Sequence, residues 1–246
     1  MRTQTLLIAA AAALAAAVTT SQAQTVYSAN VVGYVNVTIP ANSFSLIANQ
    51  LDTGSNTFNN VLVNGPVSSE TTAYVWTGST FNDLFYYDSA DASPSPAGWY
   101  DVNFNPATNT LNPSQAVFIQ NPGSSAITIT LTGQVDQGTN TWTPVKPGFN
   151  FLSEPTALAG TPLDSTNVNY PATSSEDTYQ AWTGAGYGAT YFYYNSADAS
   201  PSPAGWYDVN FNPVDGTPSV WPAVGAGFLV FHGGGTSNWV QSFEVQ

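Results

Sequence analysis

The residue types best suited to binding chemistry lie together in the segment 99–105, which reads WYDVNFN. Period-two alternation predicts a β-strand here, with one face turned to the core by Tyr100, Val102 and Phe104. The opposite face would carry Trp99, Asp101, Asn103 and Asn105. An indole covers the C–H face of a sugar ring, while carboxylate and amide groups hydrogen-bond its hydroxyls. The segment therefore predicts a carbohydrate-binding face.

The same face is predicted a second time, because residues 89–106, SADASPSPAGWYDVNFNP, recur letter for letter as residues 196–213. The second copy of the face consists of Trp206, Asp208, Asn210 and Asn212. Two equivalent sites on one chain would strengthen binding to a polysaccharide through multivalency. A structural alternative explains the same residues: the Trp side chains cap the core, the Asn side chains are ordinary solvated positions, and the identity reflects recent copying of the gene segment.

Residue sets for catalysis or metal binding are sparse. The chain has no cysteine and one histidine, which removes the usual zinc, copper and iron–sulfur ligand sets. His232 precedes three glycines and is interpreted as a loop residue, and no Gly-x-Ser-x-Gly motif accompanies it. The oxygen ligands that Ca²⁺ takes could come from Asp88, Asp91, Asp101, Asn103 and Asn105, but the glycine and the distal glutamate of a calcium loop are missing. We therefore expect a protein that is not an enzyme and has no catalytic residues, no metal and no cofactor.

The charge of the chain excludes two classes of partner. The formal net charge is −13, and Lys146 is the only basic side chain after Arg2 apart from His232. Such a chain repels phosphate backbones and has too few cations to release counterions from nucleic acid. It also lacks the basic residues that attract anionic lipid. Binding to nucleic acid or to an anionic membrane surface is therefore not expected.

The first residues have the pattern of a secretory signal peptide. Arg2 is followed by an apolar run over residues 6–18 and then by the small-residue cleavage site Ser21-Gln22-Ala23. Cleavage after Ala23 would leave a mature chain that is exported to the periplasm or the extracellular space and is not inserted in the membrane. Since there is no cysteine, its stability must come from a hydrophobic core and not from disulfides.

The elements that must position these residues are predicted to be β-strands, because Thr, Val, Asn and aromatic residues are common while Lys, Arg and Met are scarce. Alternation over residues 31–39 and 44–48 predicts a hairpin through the turn at residues 40–42. Residues 51–66 are predicted to be a loop with at most one helical turn near residues 58–62. Further strands of the first half are predicted at residues 72–77, 81–87, 99–105, 116–120 and 127–133.

The strands fall into two tandem repeats. Trp76 matches Trp182, Phe44 matches Phe149, and residues 117–121 are aligned with residues 227–231, which places His232 opposite Pro122. The predicted organisation is a signal peptide at 1–23, a first β-repeat at 24–135 with an extra N-terminal strand segment, and a second β-repeat at 136–246. The predicted fold class is all-β, with two tandem antiparallel β-sandwich or barrel-like repeats.

With these landmarks, the chain resembles a family of secreted, duplicated β-proteins of no known function that is common in Verrucomicrobia-type bacteria. The resemblance is carried by residues 27–37, YSANVVGYVNV, and by residues 44–49, FSLIAN. A Trp in the middle of each repeat and a Gly-Trp-x-Asp strand complete it. The resemblance implies export and a duplicated β-fold, and it brings no functional residue to this chain.

Two functions remain as expectations. The first is an exported, non-enzymatic structural or cell-surface assembly protein, whose long strand at residues 31–39 pairs at its edge with another copy or with other surface proteins. The alternative is a carbohydrate-binding module that holds polysaccharide on the two Trp-Asp-Asn-Asn faces. The exposure of Trp99 and Trp206 distinguishes the two, because a sugar cannot stack on a buried indole.

Overall fold

The strands of the first repeat form a five-stranded antiparallel sheet and a two-stranded ribbon. The computed structural model describes residues 31–62, 71–88, 96–142, 144–172, 177–195 and 203–245. The elements are β1 (Val31–Ile39), β2 (Ser43–Ala48), helix α1 (Phe58–Val61), β3 (Thr72–Trp76), β4 (Phe81–Tyr87), β5 (Gly98–Tyr100), β6 (Ala116–Asn121) and β7 (Ile127–Val135). The sheet order is β2-β6-β3-β4-β5, and β1 pairs with β7.

The second repeat follows the same order. Its elements are β8 (Gly138–Thr141), β9 (Gly148–Ser153), β10 (Thr178–Ala181), β11 (Tyr191–Tyr194), β12 (Gly205–Tyr207), a 3-10 turn (Pro218–Val220), β13 (Gly227–His232) and β14 (Val240–Phe243). The five-stranded sheet runs β9-β13-β10-β11-β12, and β8 pairs with β14. The all-β, duplicated fold is thus confirmed. The predicted boundary after residue 135 falls between β7 and β8, and the predicted signal peptide at 1–23 lies outside the described residues.

The predicted hairpin of the first two strands is wrong. β1 pairs with β7 over nine residues, from Val31 opposite Val135 to Ile39 opposite Ile127, whereas β2 pairs with β6. The reason is that alternation gives β1 and β7 one apolar face each, and the ribbon lays both faces on the core. Ile39 and Ile129 are fully buried there. A local turn at residues 40–42 is compatible with either pairing, so it does not select one.

Each repeat has its own hydrophobic core between ribbon and sheet. In the first, Ile129 of the ribbon packs in one cluster with Ile119 of the sheet and with Trp99. In the second, Tyr179, Trp206 and Trp239 belong to the corresponding cluster, with Val145 and Leu152. The GWY strands β5 and β12 therefore supply the central indole of each core.

The two repeats make reciprocal contacts through the edges of their sheets. The amide of Ala48 donates to the carbonyl of Gly225 at 2.9 Å, and the amide of Ser153 donates to the carbonyl of Ser114 at 3.0 Å. Ala48 and Ser153 also occupy matching positions, since they pair with Ala116 and Gly227 respectively. Counting along β6 and β13 from these pairs, His232 corresponds to Asn121. The sequence alignment, which placed His232 opposite Pro122, is therefore wrong by one residue.

Candidate functional site

The predicted binding strand at residues 99–105 is shorter than expected. β5 ends at Tyr100, and β12 ends at Tyr207. Trp99 and Trp206 are fully buried, so the prediction that each indole lies on an exposed face is wrong. The prediction that Val102, Phe104, Val209 and Phe211 are core residues is also wrong, because all four side chains are more than 60% exposed. Of the predicted core face, only Tyr100 and Tyr207 are buried.

An aspartate ends each strand. Asp101 Oδ1 accepts the backbone amides of Asn103 and Asn105 at 2.8 and 2.9 Å, and the side-chain amide of Asn105 donates to Oδ2 at 3.1 Å. Backbone amides that donate to a nearby side chain cannot also donate to a neighbouring strand. Asp residues commonly start turns in this way. Because these bonds favour the charged form, with the backbone amide of Asn105 contributing most, they lower the pKa of Asp101.

The segment after β12 has the same hydrogen bonds. Asp208 Oδ1 accepts the backbone amides of Asn210 and Asn212, both at 2.8 Å, and the side-chain amide of Asn212 is the main cause of the lowered pKa of Asp208. Backbone φ is +61° at Phe104 and +60° at Phe211. The predicted equality of the two backbones is therefore confirmed over residues 101–105 and 208–212, which are named here the Asx loops. The prolines Pro94 and Pro201 lie outside the described residues.

The Asx loops present exposed aromatic rings that the sequence patterns missed. Phe104 is 67% exposed, and its ring centroid lies 5.7 Å from that of Tyr87 at the end of β4. Phe211 and Tyr194 repeat this pair at 5.7 Å. Asn103 and Asn210 are exposed beside them. The signal that could have revealed the loops is Asp followed at two and four positions by Asn, since Asp and Asn favour turns.

His232 is the last residue of β13 and not a loop residue. Its Nδ1 lies 2.8 Å from Asp177 Oδ2, and both side chains are fully buried. Its Nε2 faces the carbonyl oxygen of Gly235 at 2.9 Å and lies 3.4 Å from Ser237 Oγ. Both ring nitrogens thus lie within hydrogen-bonding distance of oxygen atoms, Nδ1 of the Asp177 carboxyl group and Nε2 of the Gly235 carbonyl group. This Asp-His-Ser arrangement directs Nε2 at a backbone carbonyl, so it holds the turn after β13.

A carboxyl group is buried at the end of β9. Glu154 is fully buried, and within the described part of the chain neither of its oxygens has a hydrogen-bond partner. Burial disfavours the charged form and raises the pKa of Glu154 to about 9. At neutral pH this glutamate is therefore uncharged. Its position in the first repeat is occupied by Asn49, whose amide donates to the carbonyl of Leu111 at 2.9 Å.

The outer edge of β1 is open. Within the described residues β1 has one neighbouring strand, β7. Val32 and Tyr34 on its outer face are 73% and 74% exposed. The sequence has no charged residue between Arg2 and Asp52, so β1 carries none. Natural edge strands are usually protected from pairing by Lys, Pro, a bulge or a cover, and β1 contains neither Lys nor Pro.

Comparisons with known proteins add no functional assignment. No protein-family model, no curated protein and no solved structure matches this chain. Over the residues that the structure describes, no group of three or more His, Cys, Asp or Glu side chains is placed to hold a metal ion. The same residues include no helix with the length and apolar character needed to cross a membrane.

Proposed function

We propose that this chain is an exported, non-enzymatic structural protein whose copies assemble through the edge of β1. The observation that carries the proposal is the open edge itself, a nine-residue strand that is paired on one side only among the described residues, with Val32 and Tyr34 exposed. An exposed, uncharged edge of this length is a template for pairing with another strand. Export is supported by the leader pattern at residues 1–23.

The partner that we assign to this edge is a second copy of the chain. Two identical strands can pair antiparallel about a twofold axis, so that each β1 contributes the same surface and the assembly closes. The net charge of −13 makes copies repel at long range. Two copies can therefore approach each other at the uncharged strand with little local repulsion. Salt should promote association, because it screens the negative charges elsewhere on the surface.

The non-enzymatic part of the proposal is supported by the histidine site. His232 and Asp177 are fully buried, and Nε2, the atom that would take a proton from a serine, is directed at a carbonyl. A general base needs a free lone pair within reach of its substrate. Within the described residues the arrangement offers none.

Sedimentation of the purified protein over a range of concentrations tests the assembly. We expect reversible self-association that Tyr34→Lys weakens, because antiparallel pairing would bring two ammonium groups together across neighbouring strands. Thr132→Lys is the matched control, since Thr132 lies opposite Tyr34 on β7 and adds the same charge. Equal weakening by both variants, or a wild type that stays monomeric at high concentration and high salt, would refute assembly through β1.

A second candidate function is binding of a neutral polysaccharide at the Asx loops. The observation that favours it is the duplicated contact between exposed Phe104 and half-buried Tyr87, with exposed Asn103 beside it. Proteins bind sugars with aromatic rings and amide groups, and two copies of the site would strengthen binding through avidity. Pull-down on insoluble cellulose, chitin and starch tests it with the double variant Phe104→Ala, Phe211→Ala, and Val102→Ala, Val209→Ala is the control. Binding that survives the loss of both rings would exclude this site.

A further inference from the structure

A cavity of about 190 Å3 lies at the junction of the two repeats. The first repeat contributes Trp76, Thr110 and Gln115 to its lining, and the second contributes Lys146, Phe149 and Leu152. The indole of Trp76 is fixed in this wall, because its Nε1 donates to the carbonyl of Phe149 at 2.9 Å. The cavity is therefore bounded by groups that the packing of the repeats holds in place.

Lys146 is the cation of this cavity. It is the only lysine of the chain, and its side chain is exposed. Its backbone is held by the buried Asn150, which accepts the amide of Lys146 at 3.0 Å and donates to its carbonyl at 2.7 Å. Among the described residues the single ion pair joins His232 to Asp177, so no carboxylate described lies within 4 Å of the Lys146 amine. The chain has fifteen acidic residues, and its one lysine lines this cavity.

The other side of the junction keeps the walls of this site but not its polar groups. The matching positions place Trp182 for Trp76, Phe44 for Phe149 and Ile47 for Leu152. The indole bond is also repeated, since Trp182 Nε1 donates to the carbonyl of Phe44 at 3.1 Å.

Two substitutions separate the sides. Counting back along the strand pairs from Ala116 and Gly227, Ala226 stands where the cavity has Gln115, and counting back from Ser43 and Gly148, Ala41 stands where it has Lys146. The shared walls are explained by packing, whereas the lysine and the amide belong to one side.

We propose that this cavity binds a small organic anion, with its carboxylate on Lys146 and its apolar body against Trp76 and Leu152. The volume of the cavity limits the size of the ligand, because a cavity of roughly 150 Å3 accommodates benzene. The occupant is therefore a carboxylate with a body of about one aromatic ring or a short acyl chain. A lysine ammonium gives charge without a fixed geometry, which suits a carboxylate on a flexible ligand. This site is independent of the β1 edge and of the Asx loops.

Titration with phenylacetate, followed by the indole N–H signals in nitrogen-15 NMR spectra, tests the proposal. Phenylacetamide is the neutral probe of the same shape. We expect saturable shifts of the Trp76 signal with phenylacetate and binding of phenylacetamide weaker by at least about fivefold, as expected for loss of a charge-assisted contact. Lys146→Met should weaken phenylacetate to the level of the amide, and Lys146→Arg should restore it.

Two further variants separate a specific site from general charge effects. Thr110→Trp places a bulky side chain in the lining and should abolish binding of both probes by filling the cavity. Ala41→Lys adds the same charge on the other side of the junction, and it should not alter the affinity of the Lys146 site for phenylacetate. Equal binding of the two probes, unchanged affinity in Lys146→Met, or no shift of the Trp76 signal at saturating phenylacetate would each overturn the proposal.

Discussion

The indole Nε1 of Trp76, in the first repeat, donates a hydrogen bond of 2.9 Å to the backbone carbonyl oxygen of Phe149, in the second. Trp182 and Phe44 make the same contact in the opposite direction at 3.1 Å. Each repeat thus gives an indole and receives one, which is the pattern of a twofold-symmetric dimer built within one chain. The two repeats therefore contact each other through equivalent residues.

The packing between the repeats departs from this symmetry in one complementary way. In the first repeat Leu46 of β2 is paired with Phe118 of β6, and in the second Phe151 of β9 is paired with Leu229 of β13. Large and small side chains have changed places. The result is a contact between Phe118 and Phe151, with ring centroids 5.4 Å apart, so the volume of the interface is kept while its halves differ.

The reciprocal indole bonds should contribute about equally to stability. We expect Trp76→Phe and Trp182→Phe each to lower the free energy of unfolding by about 1–2 kcal/mol, from one lost hydrogen bond and some lost apolar contact. Urea unfolding of the two variants measures this. A large effect of one substitution and none of the other would mean that the two contacts are not equivalent.

Truncation of the exposed loop residue Phe104 should cost much less stability than truncation of the buried strand residue Trp99. Phe104→Ala is expected to change the free energy of unfolding by less than about 1 kcal/mol, because the ring is mostly exposed and the residue adopts a positive φ. Trp99→Ala should cost about 3–5 kcal/mol, because it empties the centre of the core. Denaturation curves of both variants and of Phe211→Ala, the matched copy, check this. A costly Phe104→Ala would contradict the loop geometry.

The buried Glu154 should make the protein less stable as the pH rises. Its pKa is raised from 4.5 to about 9 in the folded state. Below about pH 4.5 the carboxyl is protonated in both states and contributes no pH dependence. Between these values the unfolded chain releases a proton that the folded chain keeps, so the free energy of unfolding falls with pH and levels off above the folded pKa.

Glu154→Gln removes this titration. We expect the variant to flatten the decline between about pH 5 and 9 and to be more stable than wild type at pH 8, by an amount on the order of a few kcal/mol. Thermal and urea unfolding across that pH range measure it, with the exposed Glu244 as a control through Glu244→Gln. A variant that keeps the wild-type pH profile would show that Glu154 is ionised in the folded state.

Strand positions were predictable from sequence where local alternation decides them. Residues 31–39 and 81–87 are strands with the predicted bounds, and the single helical turn lies within residues 58–62. The pairing of β1 was not predictable in the same way. The turn at residues 40–42 is local, whereas the partner strand β7 lies almost ninety residues later, and its choice depends on which faces cover the core.

The candidate site shows where alternation fails. The segment 99–105 alternates as well as a strand does, but Asp101 bonds the amides that a neighbouring strand would need. Side-chain competition for backbone amides is invisible to a hydrophobic pattern. The exposure of Phe104 follows from that turn. The reciprocal hydrogen bonds of Trp76 and Trp182 could not be predicted from the sequence either. The sequence identifies the two residues as equivalent but does not place them at an interface.

A single spin label on β1 distinguishes pairing of two β1 strands from every other mode of association. The chain has no cysteine, so Asn36→Cys on the exposed side of β1 carries a nitroxide at one defined position. Antiparallel pairing of two β1 strands about Val35 puts the two labels on neighbouring strands. Double electron–electron resonance should then give an inter-copy distance below about 20 Å, allowing for a strand spacing near 4.8 Å and the label linkers. The same label in a Tyr34→Lys background should lose this distance. A wild-type trace that contains only isolated spins, or a distance that Tyr34→Lys leaves unchanged, would contradict pairing of copies through this edge.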